Sequence, residues 1–184
     1  QLFAKKGYEN TSTKDIAQLA GVAEGTVYKH FKTKEALLNA ILLPFVEQVI
    51  PQIAQNFFET VKLSQKLSFQ EFLAVLITDR IEFFLANIAE VKIFIMQILQ
   101  RPQFMQSAMA GIFHEAKMPM HQVFQYYQDQ GELVQLPDID IIRYLVSPIF
   151  GHLVPIMLGS EPVEIDVQAT ATQVSEFLAK GLKP

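Results

Sequence analysis

Residues Thr11–Leu37 read TSTKDIAQLAGVAEGTVYKHFKTKEAL, and their spacing decides the fold. Ser12 followed by Asp15 is a capping-box pair that opens a helix. Ile16, Leu19 and Ala20 supply the apolar side of that helix, and Gly21 ends it. A second short helix runs Glu24 to His30. A third begins near Lys34 and carries Leu37, Leu38, Ile41 and Leu42 at helical spacing. Ala17, Gly21 and Val27 suit a helix-turn-helix. Ala17 is small enough for close helix crossing, Gly21 can turn the chain at positive φ, and Val27 faces back into the core. Ile16, Leu19, Val22 and Phe31 are expected to close that core. The arrangement leaves Ala23 to Thr26, small or polar, at the start of the second helix, where they can enter a major groove without clashing. Gly25 is a poor helix residue. It implies a close approach, either to DNA or to a neighbouring helix.

Outward from this stretch the helical signals continue. Leu2 to Lys6 reads as the end of a helix closed by Gly7. Pro44 and Pro51 should kink or break the third helix. Ser68 with Glu71 is another capping box, opening a helix to about Ala86, and a helix from about Ile88 to Gln100 follows. Pro102 suits the first turn of a helix that Gly131 closes, with a kink expected at Pro119. Asp138 is expected to cap a helix to about Leu158, and Glu164 or Asp166 to start a last one to about Lys180. No hairpin signature and no sustained alternation are present. The fold class is all-α: a three-helix domain at residues 1–43 and a helical domain at residues 44–184.

Composition excludes several function classes. The 184 residues include no Cys, so a disulfide scaffold, a Cys-based zinc site and a Cys nucleophile are ruled out. Half the residues are apolar and 18% are charged, which excludes a disordered chain. The net charge of −4 argues against coating nucleic acid through charge alone. Residues 1–40 nevertheless hold six lysines against four carboxylates, a net of +2. A basic head on an acidic body fits a DNA reader of low non-specific affinity, and a solvated Lys-rich face produces the same count. The uncharged run Tyr144 to Gly159 holds two prolines and is shorter than the roughly 20 residues of a spanning helix. It reads as a buried or interface helix, and no membrane partner is expected. The opening QLFAKKGYEN has neither a long apolar segment nor an initiator Met, so the chain is expected to start inside a running helix.

Phe3 to Leu38, FAKKGYENTSTKDIAQLAGVAEGTVYKHFKTKEALL, resembles the DNA-binding domain of the TetR family of ligand-responsive transcriptional repressors. The Gly-Thr-x-Tyr-x-His-Phe-x-x-Lys-Glu-x-Leu run from Gly25 to Leu37 carries most of that resemblance, which covers about a fifth of the chain. The resemblance implies that Thr13, Tyr28, His30 and Lys34 touch the DNA backbone. It implies that Ala23, Glu24, Gly25, Thr26 and Lys29 face the major groove. The chemistry agrees: Lys34 offers a mobile cation, Tyr28 a phenolic O–H, Lys29 a donor for guanine and Thr26 a methyl for thymine. Ala23 stands where the family commonly has Ser. Glu24 stands where a basic or polar residue is common, and would accept from cytosine N4 or repel phosphate. By the same resemblance, residues 1–6 are expected to hold only the end of the family's first helix.

The remaining chain has no motif of its own. Phe84, Met96, Phe104, Phe113, Phe124 and Tyr127 are candidates to line a cavity for an apolar or aromatic effector, with ordinary core the alternative for each. His114 and His121 make a poor metal pair because Pro119 lies between them and no third ligand is spaced to help. No metal, cofactor or enzymatic activity is expected. Apolar residues of the last two helices, among them Ile141, Leu145, Val146, Ile149, Leu153, Val154 and Met157, then Val174, Phe177 and Leu178, exceed one core stripe. The family resemblance implies a homodimer through these helices. The expected protein is a cytoplasmic repressor, released from a palindromic operator in double-stranded DNA by its effector. The alternative is a helical small-molecule binding protein without DNA-binding activity.

Overall fold

The computed structural model describes residues 1–45, 56, 59, 62, 66–100, 117–159 and 165–184. The described elements are α1 (Leu2–Lys6), α2 (Thr13–Ala20), α3 (Glu24–His30), α4 (Lys34–Pro44), α5 (Phe69–Ala86), α6 (Ile88–Gln100), α7 (117–129), α8 (Asp138–Leu158) and α9 (Val167–Gly181). No strand occurs among the described residues. The chain forms two compact units, Gln1–Pro51 with Asn87–Ala110, and Gln52–Ala86 with Gly111–Pro184.

In the first unit, local chemistry sets each helix end. Asp15 N–H donates to Ser12 Oγ at 3.0 Å, and Ser12 N–H donates to Asp15 Oδ2 at 2.9 Å, so both halves of the capping box form. Gly21 closes α2 at φ 68°, a left-handed conformation in which its N–H reaches the Ala17 and Gln18 carbonyls. Thr33 caps α4 by accepting from Ala36 N–H. Pro44 is the last residue of α4. Buried Ala17 lets α2 and α3 cross closely, and buried Val27 faces the interior. The expected closure of this core is corrected in part. Ile16 and Phe31 are half-buried, but Leu19 is 60% exposed and Val22 is also exposed. Leu19 lies two residues beyond Ala17, roughly 200° around the helix, so one eight-residue helix does not bury both. Thr11 is buried, and its hydroxyl donates to the Gly7 carbonyl at 2.7 Å, which ties the α1–α2 loop together. α6 packs against α1 and α4, with Phe94 against Phe45.

The second unit is built on one apolar cluster from α5, α7, α8 and α9. α5 starts at the expected Ser68–Glu71 box, and Gly131 follows α7 at φ 71°. Pro119 lies in the first turn of the described α7, and the expected helix start at Pro102 lies outside the described residues, as does Pro51. The expected Asp138 cap is corrected. Pro137 holds the cap position of α8, and the Asp138 carboxylate instead meets His121 Nδ1 at 2.9 Å. Asp166, not Glu164, caps α9 by accepting from Ala169 N–H. α8 spans 21 residues, so it is longer than the uncharged run, and by length and composition it could cross a membrane. Its Ile141, Leu145, Ile149 and Leu153, spaced four residues apart, are buried in the cluster, and Met157, the next at that spacing, is buried outside it.

Candidate nucleic-acid interface

Four short segments converge on one side of the helix-turn-helix. The α1–α2 loop brings Glu9 and Asn10, and the start of α2 brings Ser12, Thr13 and Asp15. Tyr28 comes from α3, and Lys32, Thr33 and Lys34 come from the α3–α4 connection. Together with Thr11 they surround an open groove of about 620 Å³. Ligand-sized clefts fall in this range, but this one is open and is lined by polar residue types, the carboxylates Glu9 and Asp15 among them.

Several of these side chains are held by defined partners. The Asp15 carboxyl sits below its ordinary range because it accepts from the Ser12 backbone N–H and then the Ser12 hydroxyl; partial burial opposes this, and Lys6 and Lys14 add smaller attractions. Lys34 is corrected from a mobile cation to an anchored one. Its ammonium donates to the Tyr8 carbonyl at 2.9 Å and stands 4.2 Å above the Tyr8 ring. Thr13 Oγ1 lies 2.8 Å from Glu24 Oε1 and 3.1 Å from the Tyr28 hydroxyl. The structure therefore brings Thr13, Glu24, Tyr28 and Lys34 together on this side.

The other sequence-derived residues lie on or beside α3. Ala23 is its cap residue, with extended backbone and no side-chain bond. Gly25, Thr26, Lys29 and His30 are exposed, and His30 does not line the groove. A Cβ built on Gly25 meets no atom within 4 Å, so a neighbouring helix does not explain this glycine. Of the groove residues only Thr13, Tyr28 and Lys34 were assigned to a site from sequence; Lys32 and Thr33, and the anchoring Tyr8, are among those that escaped it. Thr33 had a legible signal, a capping hydroxyl directly before the apolar-periodic helix. The Tyr8–Lys34 contact joins residues 26 apart and has no local signature.

In the second unit, Phe124 and Tyr127 are buried within the cluster. The Tyr127 hydroxyl donates to the Leu67 carbonyl at 3.2 Å, and its ring packs against Phe69 and Phe72. Burial, reinforced by Glu132, pushes this phenol far above its ordinary value. Phe84 is half-buried and meets Phe150 edge-on. Met96 belongs to the other unit and is 37% exposed. Phe104, Phe113 and His114 lie outside the described residues. Outside the core ladder, α8 exposes Ile139, Tyr144, Val146, Val154 and Leu158, and α9 exposes Phe177; Leu158 and Phe177 are 77% and 70% exposed.

Comparison with known proteins agrees with the head. Residues 1–41 match the family model described as bacterial regulatory proteins, tetR family. An uncharacterized HTH-type transcriptional regulator of Bacillus subtilis, YvkB, is 50% identical over 42 residues, 23% of this chain and 22% of that protein. The HTH-type transcriptional repressor KstR2 of Rhodococcus jostii is 40% identical over 48 residues, 26% of this chain and 24% of that protein. The match thus spans about a quarter or less of each of these relatives. Among solved structures, the transcriptional regulator FadR from Bacillus subtilis, in complex with stearoyl-CoA, aligns over 98% of this chain and 94% of its own, with a TM-score of 0.67 at 20% identity. That likeness shows a shared all-helical fold. The N-terminal stretch is thus similar to the tetR family model and to proteins named as HTH-type transcriptional regulators.

Proposed function

We propose that this chain, with its TetR-family head, is a homodimeric DNA-binding transcriptional repressor that an apolar small molecule releases from a palindromic operator. Residues 1–43 read DNA, and residues 44–184 hold the effector and form the dimer. The observation that carries this reading is the open groove beside α3, where Thr13, Tyr28 and Lys34 meet. Next to it stands an α3 whose Ala23, Gly25, Thr26 and Lys29 are exposed and small or hydrogen-bonding. The groove suits a phosphate backbone, and α3 suits base edges.

The exposed apolar stripe of α8, with Phe177 of α9, supports a dimer through these two helices. Ile141, Leu145, Ile149 and Leu153 form the protomer's own core stripe, and the exposed apolar residues are those in excess of it. A two-fold dimer would set two copies of α3 about 34–36 Å apart on one DNA face. The same stripe argues against a spanning α8. One side of the helix is packed in the cluster, and its first turns carry Asp138, Asp140 and Arg143. A cytoplasmic location follows from operator binding.

The effector is proposed to enter the aromatic interior of the second unit near Phe84, Phe124 and Tyr127. FadR holding stearoyl-CoA supports a molecule with a long apolar part. Selection from a random duplex pool tests the reading. A recovered palindrome, released by a long-chain acyl compound, is the expected result. Retention without any motif, lost at moderate salt, would leave a helical small-molecule binder as the function.

A further inference from the structure

Glu24 is turned back from the expected groove-facing position and holds the Thr13 hydroxyl, which in turn meets the Tyr28 hydroxyl; both hydroxyls are assigned to phosphate. Thr13 Oγ1 is 2.8 Å from Glu24 Oε1 and 3.1 Å from the Tyr28 oxygen. A carboxylate only accepts hydrogen bonds, and a threonine hydroxyl has one proton. The shorter, charge-assisted contact takes that proton. Thr13 therefore donates to Glu24, and Tyr28 in turn donates to Thr13 Oγ1. Both hydroxyl protons point inward, and the groove meets only oxygen lone pairs.

Phosphate also only accepts. For Tyr28 to donate to a phosphate oxygen, its O–H must rotate outward. Thr13 and Tyr28 then face each other through lone pairs at 3.1 Å unless Thr13 turns its proton toward Tyr28 and away from Glu24. The chain of bonds must reverse as a unit. We propose that Glu24 is a positioning residue that holds the Thr13–Tyr28 hydroxyl pair in a phosphate-refusing orientation, so that DNA engages this pair only by displacing Glu24 from Thr13. The device lowers affinity for any backbone and leaves the free carboxylate available at the start of α3 once DNA is bound. It rests on the DNA-binding reading above.

Glu24→Gln separates this from a simple charge effect. A glutamine amide can donate to Thr13, which then donates to Tyr28, whose proton faces outward. The experiment is a double-mutant cycle with Tyr28→Phe, measuring affinity for the selected duplex at fixed salt. Glu24→Gln is expected to tighten binding on the order of tenfold in the parent protein. In the Tyr28→Phe background, which lacks the terminal O–H, the gain should fall to about twofold or less, the share due to lost charge. Thr13→Val provides the same cycle should Tyr28→Phe unfold the head. Equal gains in both backgrounds, or no gain in the parent, would overturn the proposal. Failure of all four proteins to bind any duplex would overturn the DNA-binding reading and this inference with it.

Discussion

Replacing Gly25 by Ala is expected to stabilise the protein while weakening its hold on DNA. Gly25 is the second residue of α3, and its φ is not positive. An added Cβ meets no atom within 4 Å, so no packing cost opposes the change. In a helix interior Ala is favoured over Gly by about 0.8–1.0 kcal/mol. In a first turn we expect roughly half to all of that, about 0.5–1 kcal/mol. For a chain of this size the midpoint of thermal unfolding should rise by about 1–4 °C. The DNA term has the opposite sign. If the bare backbone at Gly25 approaches the duplex, a methyl group there costs about 1–3 kcal/mol, roughly 5- to 150-fold in affinity. Calorimetry and fluorescence anisotropy on the selected duplex read the two effects separately. Lower stability would show that Gly25 meets the requirement of a protein neighbour. Higher stability with unchanged affinity would show that no close approach to DNA occurs there. Either result refutes the reasoning.

Gly21→Ala acts through the backbone alone, because φ 68° is strained for an L side chain although space is open; a loss of about 1–2 kcal/mol in denaturant unfolding is expected. Ser12→Ala should blunt the acid dependence of stability. Asp15 ionises below its ordinary value in the fold, so its contribution is present above that ordinary value and fades as pH falls through its own lower one. Urea titrations from neutral into acid should show this slope shrink in the variant. Leu158→Asp combined with Phe177→Asp places charge on the exposed stripe without touching the buried ladder. Sedimentation should find a monomer with unchanged helix content, and a persistent dimer would place the interface elsewhere.

Local signals carried the sequence reading a long way. Ser12–Asp15 and Ser68–Glu71 are pairs three residues apart, and Gly7, Gly21 and Gly131 take positive φ after helices, so these helix ends were written beside their causes. The head was legible for the same reason: its candidate DNA-facing residues fall within one short stretch with fixed spacing. Leu19 and Val22 misled because apolar character alone does not say which side of a short helix finds a partner. On α8, stripes about 100° apart are equally apolar, and nothing in the residues separates core from interface.

Capping, periodicity and turn chemistry act over three or four residues, so the helical runs and the helix-turn-helix were legible in the residues, and the Gly25–Leu37 run carried the resemblance to the TetR family. Tertiary structure alone decided that Lys34 is anchored on Tyr8, that Glu24 reaches Thr13, and which side of α8 enters the core. Thr13–Glu24 and Tyr8–Lys34 join residues 11 and 26 positions apart, and Leu67–Tyr127 joins residues 60 apart; such pairs exist only once the helices have packed.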